Sequence, residues 1–264
     1  MSTSPIATAI REWQEQVISG TQLMRQLVSF DKWCLLVSEA AAADLLSGGE
    51  PVRLLYSQDS EGVTRLYLFS GEEALNTFLQ ATGQEPGGHH VLVAAGIWVF
   101  TLPLESFDAV EIDPASVWQI GYRREQFPML QAMAEAVAVE RALADLRTGQ
   151  VQEGAIRLVR EYEHYLLPVF DFGEQGYLLA LAPDDRGRAL AAIFTASDGF
   201  DAYVQAMADM NEVERLISVE VPGTVLFEQL MKTNLDGLVF NCSGPTQPVA
   251  FALPFAKLML ESET

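Results

Sequence analysis

The sequence predicts an α+β protein made of two similar halves, each with a mixed or antiparallel sheet packed by helices and the two joined by a helical connector. Three observations predict this. The first is internal repetition. Residues 66–79 pass from an apolar run ending in Phe69 through Ser70 and the acidic pair Glu72-Glu73 into an apolar-periodic stretch. Residues 191–204 repeat that order through Phe194, Thr195 and Asp198, and recurrence at a fixed spacing is a statement about architecture before it is one about activity. The second observation is that short β-branched and aromatic runs alternate with stretches of helical periodicity in the same order on both sides of the middle of the chain. The third is bulk: 264 residues that are 49% hydrophobic can bury a core in each half.

From Ile6 to Leu27 apolar residues recur at three- and four-residue steps, which predicts an amphipathic helical region broken near Gly20. Trp33 to Val37 reads as a buried strand, and Val52 to Tyr56 with Thr64 to Phe69 as a hairpin around a polar loop ending in Gly62. Ser70 and Glu73 have capping-box spacing for a helix running to about Ala81. His89 to Ala94 follows as a strand, Ile97 to Leu102 as a short helix or turn, and Ala109 to Ile112 as a strand stopped by Asp113-Pro114. The second half repeats the series: a helix over Val151 to Tyr162, strands at Tyr165 to Phe170, Tyr177 to Leu181 and Ala189 to Phe194, and a cap at Thr195 with Asp198. Its last elements are Leu216 to Val221, the Gly223 to Phe227 turn and helix, and Asp236 to Asn241. Between them Phe127, Leu130, Ala134, Val137, Leu143 and Leu146 outline an Ala-rich helix that must cover its apolar face on the halves. The expected organisation is a first repeat over 1–114, a connector over 115–148 and a second repeat over 149–264.

Charge narrows the function classes. Lys and Arg number 16 against 36 Asp and Glu, a net −20. Residues 1–114 and 163–264 each carry 5 basic and 15 acidic side chains, whereas 115–162 carries 6 of each. Such a surface repels phosphate backbones and anionic lipid, so nucleic-acid and membrane partners are not expected, and a protein partner, a basic one included, is. No stretch reaches the apolar length of a membrane span, and Met1 to Gln16 lacks the basic start and apolar centre of a signal peptide, which sets the expectation of a cytoplasmic protein. Cys34 and Cys242 have no pairing spacing and are expected as free thiols.

Chemical motifs are few. His89 and His90 are adjacent in a strand and point to opposite faces, and His164 opens another strand. None has HxxxH, HExxH or CxxC company, so no metal site, cofactor or catalytic residue is expected. Glu72-Glu73 and Asp184-Asp185 suit helix-start and turn positions. Asp59 to Gly62 lacks the remaining ligands of a calcium loop, and no phosphate-cradling glycine motif or GxSxG occurs. Trp33 and Trp98 lie in apolar runs and are expected in the core. Trp118, Tyr122, Arg123 and Arg124 form the tightest basic-aromatic cluster of an acidic chain and are the candidate partner-binding residues. The alternative for Trp118 and Tyr122 is that they dock the connector onto the sheets.

Taken together, Trp33, Phe69-Ser70 with Glu73-Ala74-Leu75, Gly96 to Phe100 and Ala109 to Pro114 resemble the SseB-like N-terminal domain family, named after the enhanced-serine-sensitivity protein and associated with type III secretion. Tyr165, Phe194-Thr195 with Asp198, Gly223 to Phe227 and Gly237 to Asn241 with Pro245 resemble it a second time. The second copy departs from the pattern at Tyr165, where the family has Trp, and at Gly199, where the first copy has Ala74. The resemblance implies two tandem, non-catalytic domains and transfers no active-site residue. The function expected is a cytoplasmic protein-interaction module, with secretion, chaperone and immunity-like roles all compatible. The alternatives are a small-ligand sensor or enzyme whose pocket lies between the repeats, at helix N-termini after Ser70 and Thr195, and a structural protomer of an assembly.

Overall fold

The computed structural model describes residues 4–38, 56–58, 62–83, 89–150, 152–182, 184–208 and 213–261. The fold is α+β, and contacts divide it into two compact units, Met1–Ala134 and Glu135–Thr264. The division falls inside one helix, Phe127–Arg147.

In the first unit α1 (Pro5–Gln14) and α2 (Gly20–Ser29) precede β1 (Trp33–Ser38), β2 (Tyr56–Gln58) and β3 (Thr64–Leu68). Then come α3 (Glu72–Thr82), β4 (His89–Ala94), α4 (Gly96–Phe100), β5 (Ala109–Ile112) and β6 (Ile120–Arg123), with α5 (Phe127–Arg147) beginning here. Strand β1 pairs antiparallel with β4, and the order of the other sheet is β2-β3-β5-β6, with β3 and β5 parallel. An isolated bridge between Cys34 and Phe69 links the two. The second unit takes the rest of α5, then α6 (Glu153–Glu161), β7 (Tyr165–Asp171), β8 (Tyr177–Leu179), β9 (Leu190–Ile193), α7 (Ser197–Ala206), β10 (Leu216–Val221), α8 (Gly223–Leu230), β11 (Gly237–Phe240), β12 (Val249–Ala252) and α9 (Pro254–Glu261). Here β10 pairs antiparallel with β7, β9 runs parallel to β11, and Leu166 bridges Phe194.

The same bonds hold both units together. The Trp33 indole Nε1 donates to the Leu27 carbonyl at 3.0 Å, and the Tyr165 hydroxyl donates to the Val159 carbonyl at 2.8 Å. Both rings are fully buried, each edge-on to a phenylalanine, Phe100 at 6.4 Å and Phe227 at 6.1 Å. Tyr165 therefore performs in the second unit the task of Trp33 in the first: it fills the core and satisfies a carbonyl near the end of the preceding helix. We expect Tyr165→Phe to lower stability by about 1–2 kcal/mol, because a buried carbonyl loses its donor. Urea unfolding measures this, and an unchanged midpoint would show the bond to be dispensable.

Gly96 and Gly223 open α4 and α8 against carbonyl oxygens of the preceding helices. Their N–H groups donate to Phe30 and Tyr162, each at 2.7 Å. Asp108 and Asp236 stand before the parallel strands and accept from the N–H of Thr64 and of Ala189, each at 2.8 Å.

Several expectations from sequence change in three dimensions. Of the strand expected at Val52 to Tyr56, residues 52–55 lie outside the described residues, as do 59–61 of its loop, while Ser57 and Gln58, expected in the loop, belong with Tyr56 to β2, which pairs with β3. The segment 115–148 supplies β6 to the first sheet, and its Ala136, Val139, Leu143 and Leu146 belong to the core of the second unit. Trp98 is not core: it is 37% exposed, because the five-residue helix α4 buries only Gly96, Val99 and Phe100. The capping box expected at Ser70 and Glu73 does not form, since Gly71 is the N-cap and offers no side-chain bond. Thr195 and Asp198 do not form one either, the N-cap of α7 being Ala196. A complete box stands instead at Ser19 and Gln22, where the Ser19 hydroxyl accepts at 3.2 Å and Gln22 Oε1 accepts at 2.8 Å from the Ser19 N–H.

Candidate functional site

Strand alternation builds a charged face on the first unit. Leu66 and Leu68 of β3, Val110 and Ile112 of β5 and Tyr122 of β6 are buried. Their neighbours Arg65 and Tyr67, Ala109 and Glu111, and Gly121 and Arg123 turn the opposite way. Register places Arg65 beside Ala109 and Ala109 beside Arg123, so two arginines flank one alanine across three strands. The small Ala109 and Gly121 leave a cavity of about 510 Å³ there, walled by Arg65, Asp108, Glu111 and Arg123.

The charges have different company. Arg65 Nε lies 2.9 Å from Glu111 Oε1. Arg124 Nη2 lies 3.0 Å from Asp108 Oδ1, and its Nε donates to the Phe107 carbonyl at 3.1 Å. Asp108 Oδ2 accepts from the N–H and the hydroxyl of Thr64, and these bonds, backbone first, hold its carboxyl below the usual range. Arg123 is exposed, and among the described residues its guanidinium has no partner.

The four residues singled out in sequence are therefore divided. Arg123 and an edge of Tyr122 line the cavity, and Arg124 pairs with Asp108 of its wall. Tyr122, at 7% exposure, belongs to the core, and burial pushes its phenol well above its ordinary value. Trp118 is half-buried and lines a different cavity of about 450 Å³, with Ser4, Glu72, Glu73 and Asp113. Arg65, Asp108 and Glu111 carry no local motif; the signal that points to them is alternation along β3 and β5 combined with the parallel pairing of the two strands.

The other polar clusters are satisfied internally. Asp113 is 2% exposed and accepts from the N–H and hydroxyl of Ser70, both at 2.6 Å. Asn241 stands at the matching position and accepts from the Thr195 N–H at 3.0 Å. Glu140 of α5 is 8% exposed and accepts from the Thr195 hydroxyl at 2.5 Å, Asn241 Nδ2 at 3.3 Å and the Thr246 hydroxyl at 3.2 Å. The hydroxyls of Ser70 and Thr195, expected to cap the helices that follow them, are thus engaged by groups of their own unit instead. Burial pushes the Cys34 thiol up, aided by Glu72 and Asp113, and pushes Cys242 up to about 11, which keeps both protonated and poorly nucleophilic. His164 Nδ1 meets Glu220 Oε1 at 2.7 Å. Among the described residues no three His, Cys, Asp or Glu side chains gather as a metal site, and no helix is long and apolar enough to cross a membrane.

No protein-family model matches the chain, and no curated protein sequence does either. Among solved structures, Anabaena Tic22 (protein transport) is similar at 10% identity over 82% of this chain and 88% of that one, with a TM-score of 0.20, a likeness that carries no argument.

Proposed function

We propose that the chain is a non-catalytic, cytoplasmic protein-interaction module of the SseB-like type, two tandem copies of one unit, and that it binds a protein through the charged outer face of the first unit. The observation that carries this reading is the concave face between Arg65 and Arg123, where the exposed Arg123 guanidinium has no partner among the described residues. The matching hydrogen bonds at Trp33 and Tyr165, Gly96 and Gly223, and Asp108 and Asp236 support common descent of the copies. The protonated thiols and the internally bonded Asp113, Glu140 and Asn241 support a binding rather than a catalytic role, because general acid–base and nucleophilic chemistry need groups free to exchange protons.

The test compares the wild-type chain with Arg65→Leu/Glu111→Val, which installs the second unit's residues at these positions. Both are immobilised and exposed to native lysate at low and moderate salt. One specific protein retained by the wild type and lost from the variant supports the reading. Retention of none, or equal retention by both, overturns it.

A further inference from the structure

The second unit supplies an internal standard for the charged face. Asp108 and Asp236 make the same bonds to the strand beside them, which aligns Arg65 with Leu190, Tyr67 with Ala192, Ala109 with Gly237, Glu111 with Val239 and Arg123 with Ala252. Leu190, Ala192 and Val239 are buried in a cluster with Tyr203 and Leu216. The topology therefore forms with no charge on this face. Exposure accounts for polar residues in the first unit but not for their sign. In a chain with more than twice as many acidic as basic residues, a merely solvated face would be negative. Here three of the seven basic residues of 1–134 converge. Arg65 is matched by Glu111 and Arg124 by Asp108, which among the described residues leaves Arg123 as the excess charge.

We propose that the cleft between Arg65 and Arg123 is a carboxylate site that takes the acidic side chain of a partner's peptide segment. Neighbouring strands are about 4.8 Å apart, so the two arginine Cα atoms stand about 10 Å from one another across Ala109, within reach of two long side chains meeting on one carboxylate. The guanidinium fork suits a carboxylate better than an ammonium would, through paired N–H donors. The floor of Ala109 and Gly121 leaves room for a side chain plus its backbone. Glu111 holds Arg65 in the absence of the partner and competes with the incoming carboxylate for it. A partner that is basic overall and anchored by one acidic residue meets both the global and the local field.

This inference rests on the interaction reading, and its experiment separates the two. The capped tripeptide Gly-Glu-Gly and its Gln counterpart are titrated into ¹⁵N-labelled full chain, following the amides of Ala109, Gly121 and Arg123 and the arginine Nε signals. The Glu peptide is expected to give saturable shifts that weaken with added salt, and the Gln peptide none. Arg123→Gln is expected to weaken binding at least tenfold, whereas Glu111→Gln, which removes a carboxylate that competes with the peptide's, tightens it severalfold. Equal shifts from both peptides, no shifts, or two variants indistinguishable from wild type would overturn the carboxylate site. If that happens while the captured protein still depends on this face, the interaction reading stands and only the chemistry assigned to the anchor falls. Sodium acetate shifting the same signals as strongly as the peptide would overturn the peptide assignment in favour of a free carboxylate.

Discussion

Gly96→Ala is expected to destabilise the first unit by about 3 kcal/mol, lowering its melting temperature by roughly 10 °C. A Cβ at Gly96 would lie 2.4 Å from the Val28 carbonyl oxygen and 2.6 Å from that of Leu27. Both are backbone atoms at the end of α2, so no side chain can swing away. Relief requires α4 to retreat, which stretches the 2.7 Å bond from Gly96 N–H to Phe30 and opens the packing of Phe100 on Trp33. Gly223→Ala should act alike in the second unit, where the added carbon meets the Arg160 carbonyl at 2.4 Å and the Tyr165 ring at 3.0 Å. Gly71→Ala is the control: its Cβ would meet nothing within 4 Å, and its backbone is extended, so a change within about 0.5 kcal/mol is expected. Thermal and urea unfolding of the three variants decide the matter. A Gly96→Ala protein as stable as Gly71→Ala would mean that the close approach of α4 to α2 is not required.

The second large effect is at Asp113, where alanine and asparagine should behave in opposite ways. Asp113 has φ +47° and gives its carboxylate to both donors of Ser70. Alanine removes both acceptors and places an unfavourable residue in the left-handed region, together costing about 3 kcal/mol. Asparagine tolerates that backbone and can accept the same bonds, as Asn241 does at φ +51° in the second unit. Its effect carries a pH signature. Burial outweighs the two Ser70 bonds and holds the Asp113 carboxyl above its ordinary 3.8, so the folded chain binds this proton more tightly than the unfolded one. Stability from this group is therefore full below 3.8 and declines as pH rises through the raised native value. Asn does not titrate, so Asp113→Asn should gain on the wild type across that interval and hold the gain above it. Unfolding free energies measured through that range check the sign, and a gain that grows toward acid would contradict the assignment.

Much of the chain could be read from local pattern because its strands are short apolar runs with clear stops. Ala109–Ile112 ends at Asp113-Pro114, and Leu216–Val221 ends before Pro222 and Gly223. The helix Phe127–Arg147 was legible from an uninterrupted Ala-rich, apolar stretch of mostly helical spacing without Gly. Strand β6 was not: Ile-Gly-Tyr-Arg is too short and too mixed for any periodicity, and it becomes a strand because the edge of β5 offers it a ladder. Strand β12 and helix α9, also unread, owe their place to β11 and to the Phe251–Phe255 stack at 3.8 Å. Trp98 shows the limit of an apolar run, which announces burial without saying which member faces out.

By itself the sequence determined the alternation of elements and the negative charge, since each follows from the order and type of neighbouring residues. Tertiary structure alone decided the fate of the polar groups. Ser70 had the spacing to cap its own helix, yet an acceptor 43 residues away is nearer and buried, and an unpaired donor there would cost more than a lost cap. The candidate site has the same origin. Arg65, Glu111 and Arg123 meet only because β3 and β5 pair in parallel and β6 returns alongside, and strand register between distant segments is set by packing of the whole sheet rather than by any local residue pattern.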